Sequence, residues 1–263
     1  MFEVTRYEAS RRVRGTVVLS VLVALLGLLM VAFFPSVRTS SAALEEYIAN
    51  LPPAFREAFG IDSFGTIEGF LATELYQFGW VILLGVYFGY RAGSLVAGDV
   101  EDRGIDLWLA TPLSRARLVI ERYLSLVPTM VAVNVVTPLV VLPAIAVVGE
   151  PVPVERVLAV HLLSVPYFLT TAALGLLLSV LVSRESTASR GALGLVFGLF
   201  LVESLASVGD VGWLGAVSPT RYFDPTGVLL RGAYDPAGAV ILLGAAVGGV
   251  ALAVALFRRA DIT

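Results

Sequence analysis

Lysine is absent, and all 18 basic residues are arginines. A conventional phosphate loop, G-x-x-x-x-G-K-[ST], uses its lysine to reach the β- and γ-phosphates of a nucleotide. The chain therefore carries no such ATPase site, and any ATP hydrolysis linked to it belongs to another chain. Cysteine is also absent, which removes disulfides, thiolate metal sites and thiol nucleophiles. With a single histidine, His161, zinc sites built from several imidazoles cannot be assembled, nor can cysteine–histidine nucleophilic pairs. Charge is scarce at 15% of residues, and 21 Asp and Glu against 18 Arg leave a net charge of −3. That balance disfavours a nucleic-acid partner.

Apolar surface is abundant instead. Hydrophobic residues make up 57% of the chain and mean hydropathy is +0.87, beyond what a soluble domain of this length keeps in water. The fold class expected is an all-α integral membrane protein. Runs of about 20 apolar residues cover ~30 Å of hydrocarbon at 1.5 Å per residue. Six such runs fall near residues 15–34, 72–97, 124–148, 157–182, 191–208 and 237–257, so residues 1–263 read as one transmembrane domain. Residues 1–14, carrying Arg6, Arg11, Arg12 and Arg14, read as an interfacial helix before the first span. The uncharged run from Gly15 to Phe34 is too long for a signal-peptide core, and no small-x-small cleavage site follows it.

Arginine placement orients the spans. With both termini in the cytoplasm, the inner segments hold 12 arginines: 6, 11, 12, 14, 103, 115, 117, 122, 184, 190, 258 and 259. The outer segments hold 5, namely Arg38, Arg56, Arg156, Arg221 and Arg231, and Arg91 counts on neither side. That bias predicts a multi-pass protein of the cell membrane with both ends inside. Two outer segments exceed simple connectors. In residues 35–65, Leu44, Ile48 and Leu51 share a helical spacing that predicts an amphipathic helix ended by Pro52 and Pro53. Residues 209–236 are aromatic and proline-rich, and they predict short helices dipping into the outer leaflet as a re-entrant segment.

Few side chains suggest chemistry. His161 and Ser164 share a helix face, as a base and nucleophile would, yet a lone histidine inside a span more often satisfies a polar contact. Glu45 and Glu46 resemble the start of the EExxxR pattern of intramembrane prenyl-peptidases, but no arginine follows at the required place. No catalytic or metal-binding residue is expected. Glu203 sits twelve residues into the fifth apolar run, where a carboxylate is costly unless paired or facing water. It either lines a substrate path or pairs with Arg221 or Arg231, and pairing is the favoured reading. Glu68 and Glu74 lie where they can reach the outer interface. Gly244, Gly248 and Gly249 form a small-residue surface suited to helix contact.

The most specific segment lies between the second and third spans, AGDVEDRGIDLWLATPLSRARLVIERYLS over residues 97–125. Val100, Leu107 and Trp108 fall on one helical face, while Asp99, Glu101, Asp102, Arg103 and Asp106 lie mostly elsewhere. A lipid-surface helix anchored by Trp108 would show a similar stripe, but four acids beside anionic headgroups argue against it. Gly98, Asp99, Gly104, Leu107, Pro112, Ser114 and Arg115 resemble the loop of ABC-2 type transporter membrane subunits, roughly G-E-x-x-x-G-T-L followed by P-x-S-R. Asp99 stands where Glu is usual and Ile105 where Thr is usual. The basic N-terminal helix, LPPAFREAFG, SPTRYFDP and the closing FRRADI are similar to the same family.

The resemblance implies a permease subunit that forms a homodimer or heterodimer with a second permease subunit and docks on two cytoplasmic P-loop ATPase subunits. ATP and magnesium would bind those partners, and this chain would bind no cofactor and contact only protein and membrane lipid. Asp99, Val100, Gly104, Leu107, Trp108, Pro112 and Arg115 would then form the cytoplasmic coupling helix. The expected function is transport, outward, by alternating access. A stand-alone secondary transporter would instead show midplane charges and two repeated halves, and neither is evident. A non-transporting component of a larger complex is the third class.

Overall fold

The computed structural model describes residues 2–40, 46, 48–52, 65–102, 104, 113–206 and 212–259. Six helices are long and apolar enough to cross a bilayer: Glu3–Thr39, Ile67–Glu101, Arg115–Val148, Val154–Leu181, Glu185–Ala206 and Pro236–Arg259. They are the first to sixth spans below, and no strand occurs among the described residues. An α-helix satisfies its backbone polar groups internally, which hydrocarbon demands of every spanning segment.

The helices run past the apolar runs because charged residues continue them beyond the hydrocarbon. The expected boundary between residues 14 and 15 falls inside a single helix. Glu3–Thr39 is one unbroken helix of 37 residues with no boundary near residue 15, about 55 Å long at 1.5 Å per residue. Neither Gly15 nor Pro35 stops it, and it runs on to Thr39. The third span does break, at Ser125 and Leu126, between Arg115–Leu124 and Val127–Val148. Pro128 stands in the first turn of the second piece, where its missing N–H costs nothing. Gly149, at φ 81°, ends that piece in the left-handed conformation glycine tolerates.

The second span is composite. Thr66 accepts a hydrogen bond from the Gly69 N–H at 3.2 Å and opens Ile67–Leu71. Residues Ala72–Leu84 then form a π-helix, Gly85–Gly93 returns to α, and a turn precedes the short helix Ala97–Glu101.

The fourth span is central, packed against the second, third, fifth and sixth, while the first lies along the third. Glycines permit the tightest of these contacts. In the second span Gly85, Gly89 and Gly93 recur every four residues. A Cβ on Gly89 would come 2.8 Å from Val196 Cγ2, and one on Gly93 would come 2.7 Å from Ser189 Cα. Gly175 of the fourth span abuts the Gly89 carbonyl directly. Small residues at this spacing let backbones touch, so dispersion and weak polar contacts hold helices together in lipid. The C-terminal glycines behave otherwise: a Cβ on Gly249 would come 3.1 Å from Ala173 Cβ, whereas one on Gly244 or Gly248 would meet open space.

A polar knot joins the second, third and fourth spans inside this apolar packing. The Tyr76 hydroxyl lies 3.2 Å from His161 Nε2, and His161 Nδ1 lies 3.1 Å from Asn134 Oδ1. With Nδ1 protonated, His161 donates to Asn134 and accepts from Tyr76, so both ring nitrogens are satisfied. Trp80 Nε1 donates to Ser164 Oγ at 3.2 Å, and Ser164 Oγ in turn donates to the His161 carbonyl at 2.8 Å or to Asn134 Oδ1 at 2.9 Å. His161 thus makes the structural contact expected of a lone buried histidine.

The chain ends gather at one end of the bundle. Val4 N donates to Glu121 Oε2 at 2.9 Å, and the Arg115 guanidinium sits 6.0 Å over the Phe257 ring. Arg38 pairs with Glu150 at the opposite end, where Arg156 donates to the Leu229 and Leu230 carbonyls at 3.0 Å. Of the expected outer helix, Glu46, Ile48 and Ala49 are helical and Ile48 is buried, whereas Leu44 and Pro53 lie outside the described residues.

Candidate functional site at the arginine-rich end

Charged groups converge where the chain ends meet. Arg122, only 5% exposed, lies 2.7 Å from Glu8 of the first span and 2.6 Å from Asp99 of the short helix Ala97–Glu101. Glu8 also holds Arg12 at 3.3 Å, one helical turn along. Buried charges are tolerated only when paired and hydrogen-bonded, and Arg122 is neutralised from both sides by carboxylates of two other elements. Glu121, adjacent in sequence, adds a second tie. It accepts from the backbone of Val4 and Thr5 and from Arg117 Nε at 2.6 Å.

The short helix is held from two more directions. Ser179 Oγ of the fourth span accepts from the Val96 and Ala97 N–H groups at 2.8 and 3.0 Å. Glu101 Oε2 accepts from the Glu185 N–H at 2.7 Å, at the start of the fifth span, where a carboxylate also complements the helix dipole. Through Asp99, Glu101 and the Ala97 N–H, Ala97–Glu101 is bonded to the third, fourth and fifth spans, and Arg122 carries the connection on to Glu8 of the first. Displacing it strains all of them.

The expected coupling residues divide accordingly. Asp99 is committed to Arg122, and Val100 packs partly buried against the chain's own core. Gly104 lines a cavity of about 680 Å3 together with Glu8, Arg12, Arg91, Asp99 and Arg122. Arg115 begins the third span behind the N-cap Ser114, and its Nη1 donates to the Phe257 carbonyl at 3.4 Å. Leu107, Trp108 and Pro112 lie outside the described residues. Helix is described over Ala97–Glu101 only, with Asp102 and Gly104 in turns.

At the other end, Glu203 and Arg221 both border the backbone of Gly215, leaving no room there for a side chain. Arg221 acts on Glu203 electrostatically but donates to the Gly212 carbonyl, and Glu203 Oε2 is buried with no hydrogen bond among the described residues. Arg231 lies 3.3 Å from Asp224. The structure thus sets Glu203 beside Arg221, without a direct ion pair between them. Leu214–Val217 and Pro219–Tyr222 form two short 3-10 helices, and Ala216, Pro219 and Tyr222 share a cavity of about 170 Å3 with Thr170, Leu242 and Gly249 from well inside the fourth and sixth spans.

The family model for ABC-2 family transporter proteins matches residues 4–262, nearly the whole chain. The chain belongs to the ABC-2 transporter family. No curated protein matches it. As an ABC-2 permease it is the membrane component of an ABC transporter and not its ATPase, and membership in this family implies association with an ATPase subunit. The ion-pair chain around Arg122 was not apparent in the permease sequence, because its members come from segments more than twenty residues apart. The Gly85, Gly89 and Gly93 repeat was visible there, as strong a pattern as the C-terminal glycines that were singled out.

Proposed function

We propose that this permease moves its substrate outward across the cell membrane by alternating access, driven by two cytoplasmic P-loop ATPase subunits that bind ATP and magnesium. Two permease subunits form the translocation unit. Both termini face the cytoplasm, and residues 97–115 dock on the ATPase through Trp108 and its neighbours. The outer segment 209–236 enters the outer leaflet as a re-entrant element.

One observation carries the reading. The short helix Ala97–Glu101, at the start of the docking segment, is bonded to four spans through Asp99–Arg122–Glu8, Ser179 and Glu101–Glu185. An ATPase that pushes on this segment moves an element whose displacement must reposition the spans, because each bond is short and the Arg122 cluster is buried. A surface connector would need none of these ties.

The test is affinity purification of the tagged chain from its native membrane in mild detergent. Recovery of a stoichiometric P-loop ATPase, with hydrolysis that rises on reconstitution of both chains, supports the proposal. Transport by the purified chain alone, driven by an ion gradient, overturns it in favour of a secondary transporter.

A further inference from the structure

The 680 Å3 cavity at the arginine-rich end has a surplus of positive charge at its centre. Arg122 is neutralised between Glu8 and Asp99, and Arg12 shares Glu8 at 3.3 Å. Arg91 lines the same cavity with no ion pair to any described residue, close enough to Arg12 for their like charges to act on each other. At the centre, the three guanidinium groups of Arg12, Arg91 and Arg122 therefore face the two carboxylates of Glu8 and Asp99. The other charged groups on the wall, Arg11, Asp102 and Glu185, are exposed at its rim.

A second observation points to a ligand. Arg12 Nη1 is buried and has no hydrogen-bond acceptor among the described residues. A buried cationic donor without an acceptor is costly, and one beside a cavity is positioned to donate to an anion there. The depth of the site narrows its chemistry. Arg12 precedes by three residues the uncharged run beginning at Gly15, which places it ~4.5 Å outside the apolar stretch. Arg91, in the last turn of Gly85–Gly93, lines the same cavity as Arg12 and so shares its depth. This is headgroup depth.

We propose that the cavity between Arg12 and Arg91 binds a phosphate group, which at this depth is the phosphodiester of an anionic phospholipid. A phosphodiester carries one negative charge, matching the surplus of one, and its two free oxygens accept from two guanidinium groups, the geometry arginine favours. Ser94, whose Oγ already donates to the Arg91 carbonyl at 2.9 Å, fixes the backbone that carries Arg91. Occupancy would fasten the first span to the second beside the Arg122 cluster, so lipid would support the same element that the docking segment moves. The site needs the chain to lie in a membrane and needs nothing of the ATPase, so failure here leaves the coupling proposal intact.

Native mass spectrometry of the full chain in detergent tests this, with phosphatidylglycerol and inorganic phosphate titrated separately. Phosphatidylglycerol is expected to bind saturably at one site while phosphate at equal concentration does not, which identifies the lipid as the source. Phosphate adducts that compete with the lipid would assign the site to the free ion and keep the arginine pair as its holder. Arg91→Gln, which removes no ion pair, is expected to weaken binding about tenfold or more, as loss of one charge-assisted donor does. Arg12→Gln should do the same, Arg91→Lys should restore part of the affinity, and Arg38→Gln at the opposite end should leave it unchanged. Circular dichroism confirms that each variant is folded, and Arg91→Gln alone decides should Arg12→Gln misfold. Absence of binding by either probe, or affinity unchanged in Arg91→Gln, overturns the proposal.

Discussion

Arg122 lies 2.6 Å from Asp99 with 6% of its side chain exposed, and through this contact the helix Ala97–Glu101 is fixed to the third span. Arg122→Leu leaves Asp99 without its partner cation and Glu8 with Arg12 alone. Breaking a buried ion pair from one side costs about 3–5 kcal/mol. Asp99→Asn keeps an acceptor for the guanidinium and should cost about 1 kcal/mol. Thermal or denaturant unfolding of the purified chain in detergent measures both, and equal effects would show that the cluster is not the anchor described here.

The glycine seam gives a contrasting pair. Gly93→Ala forces a methyl group to within 2.7 Å of the Ser189 backbone, which cannot yield as a flexible side chain can. It should destabilise the bundle by about 1–3 kcal/mol, the usual cost of overpacking. Gly244→Ala and Gly248→Ala meet nothing and should be neutral in the same unfolding assay. Equal stability in all three would remove the seam from the packing argument.

Docking should rest on Trp108. A large aromatic anchor at an interface typically carries about 2 kcal/mol or more, so Trp108→Ala should release the ATPase or uncouple hydrolysis from transport while the chain still inserts. Tyr222→Ala, at the other end of the bundle, should leave ATPase recovery unchanged. Full binding and full substrate-stimulated turnover in Trp108→Ala would strip the docking segment of its role.

Sidedness can be read directly, because the chain has no native cysteine. Single cysteines at Ser114 and Thr187, both exposed, should react with membrane-impermeant reagents only from the cytoplasm, and those at Pro151 and Asp235 only from outside. Labelling of position 187 from the exterior of sealed cells would reverse the assignment of the two ends.

The spans were legible because a lipid solvent demands long apolar runs, and such runs leave few alternatives to helix. Their ends were less so. Arg115, Arg117, Glu121 and Arg122 belong to a helix that hydropathy excludes, and only the N-cap Ser114 marks its start. The break between residues 14 and 15 was inferred from composition, but composition changes where the solvent changes and the backbone need not. The Arg122 cluster was hidden for a different reason: Glu8, Asp99 and Arg122 each look like an ordinary solvated charge until folding brings them together. The π-helical stretch Ala72–Leu84 has no evident marker in the sequence. It aims Tyr76 and Trp80 at His161 and Ser164, a match that only the folded partner defines.

The pairing of the first span with the third also sets an order in time. Val4 waits for Glu121, 117 residues later in the chain, and a ribosome adding about 5–20 residues per second needs on the order of ten seconds to reach it. During that interval Glu8 and Arg12 can satisfy only each other, and the segment before Gly15 has nothing to hold it against the rest of the protein. The earliest residues made are thus among the last to be secured. A released fragment ending at residue 110 should leave residues 3–14 open to protease, and one ending at residue 150 should protect them.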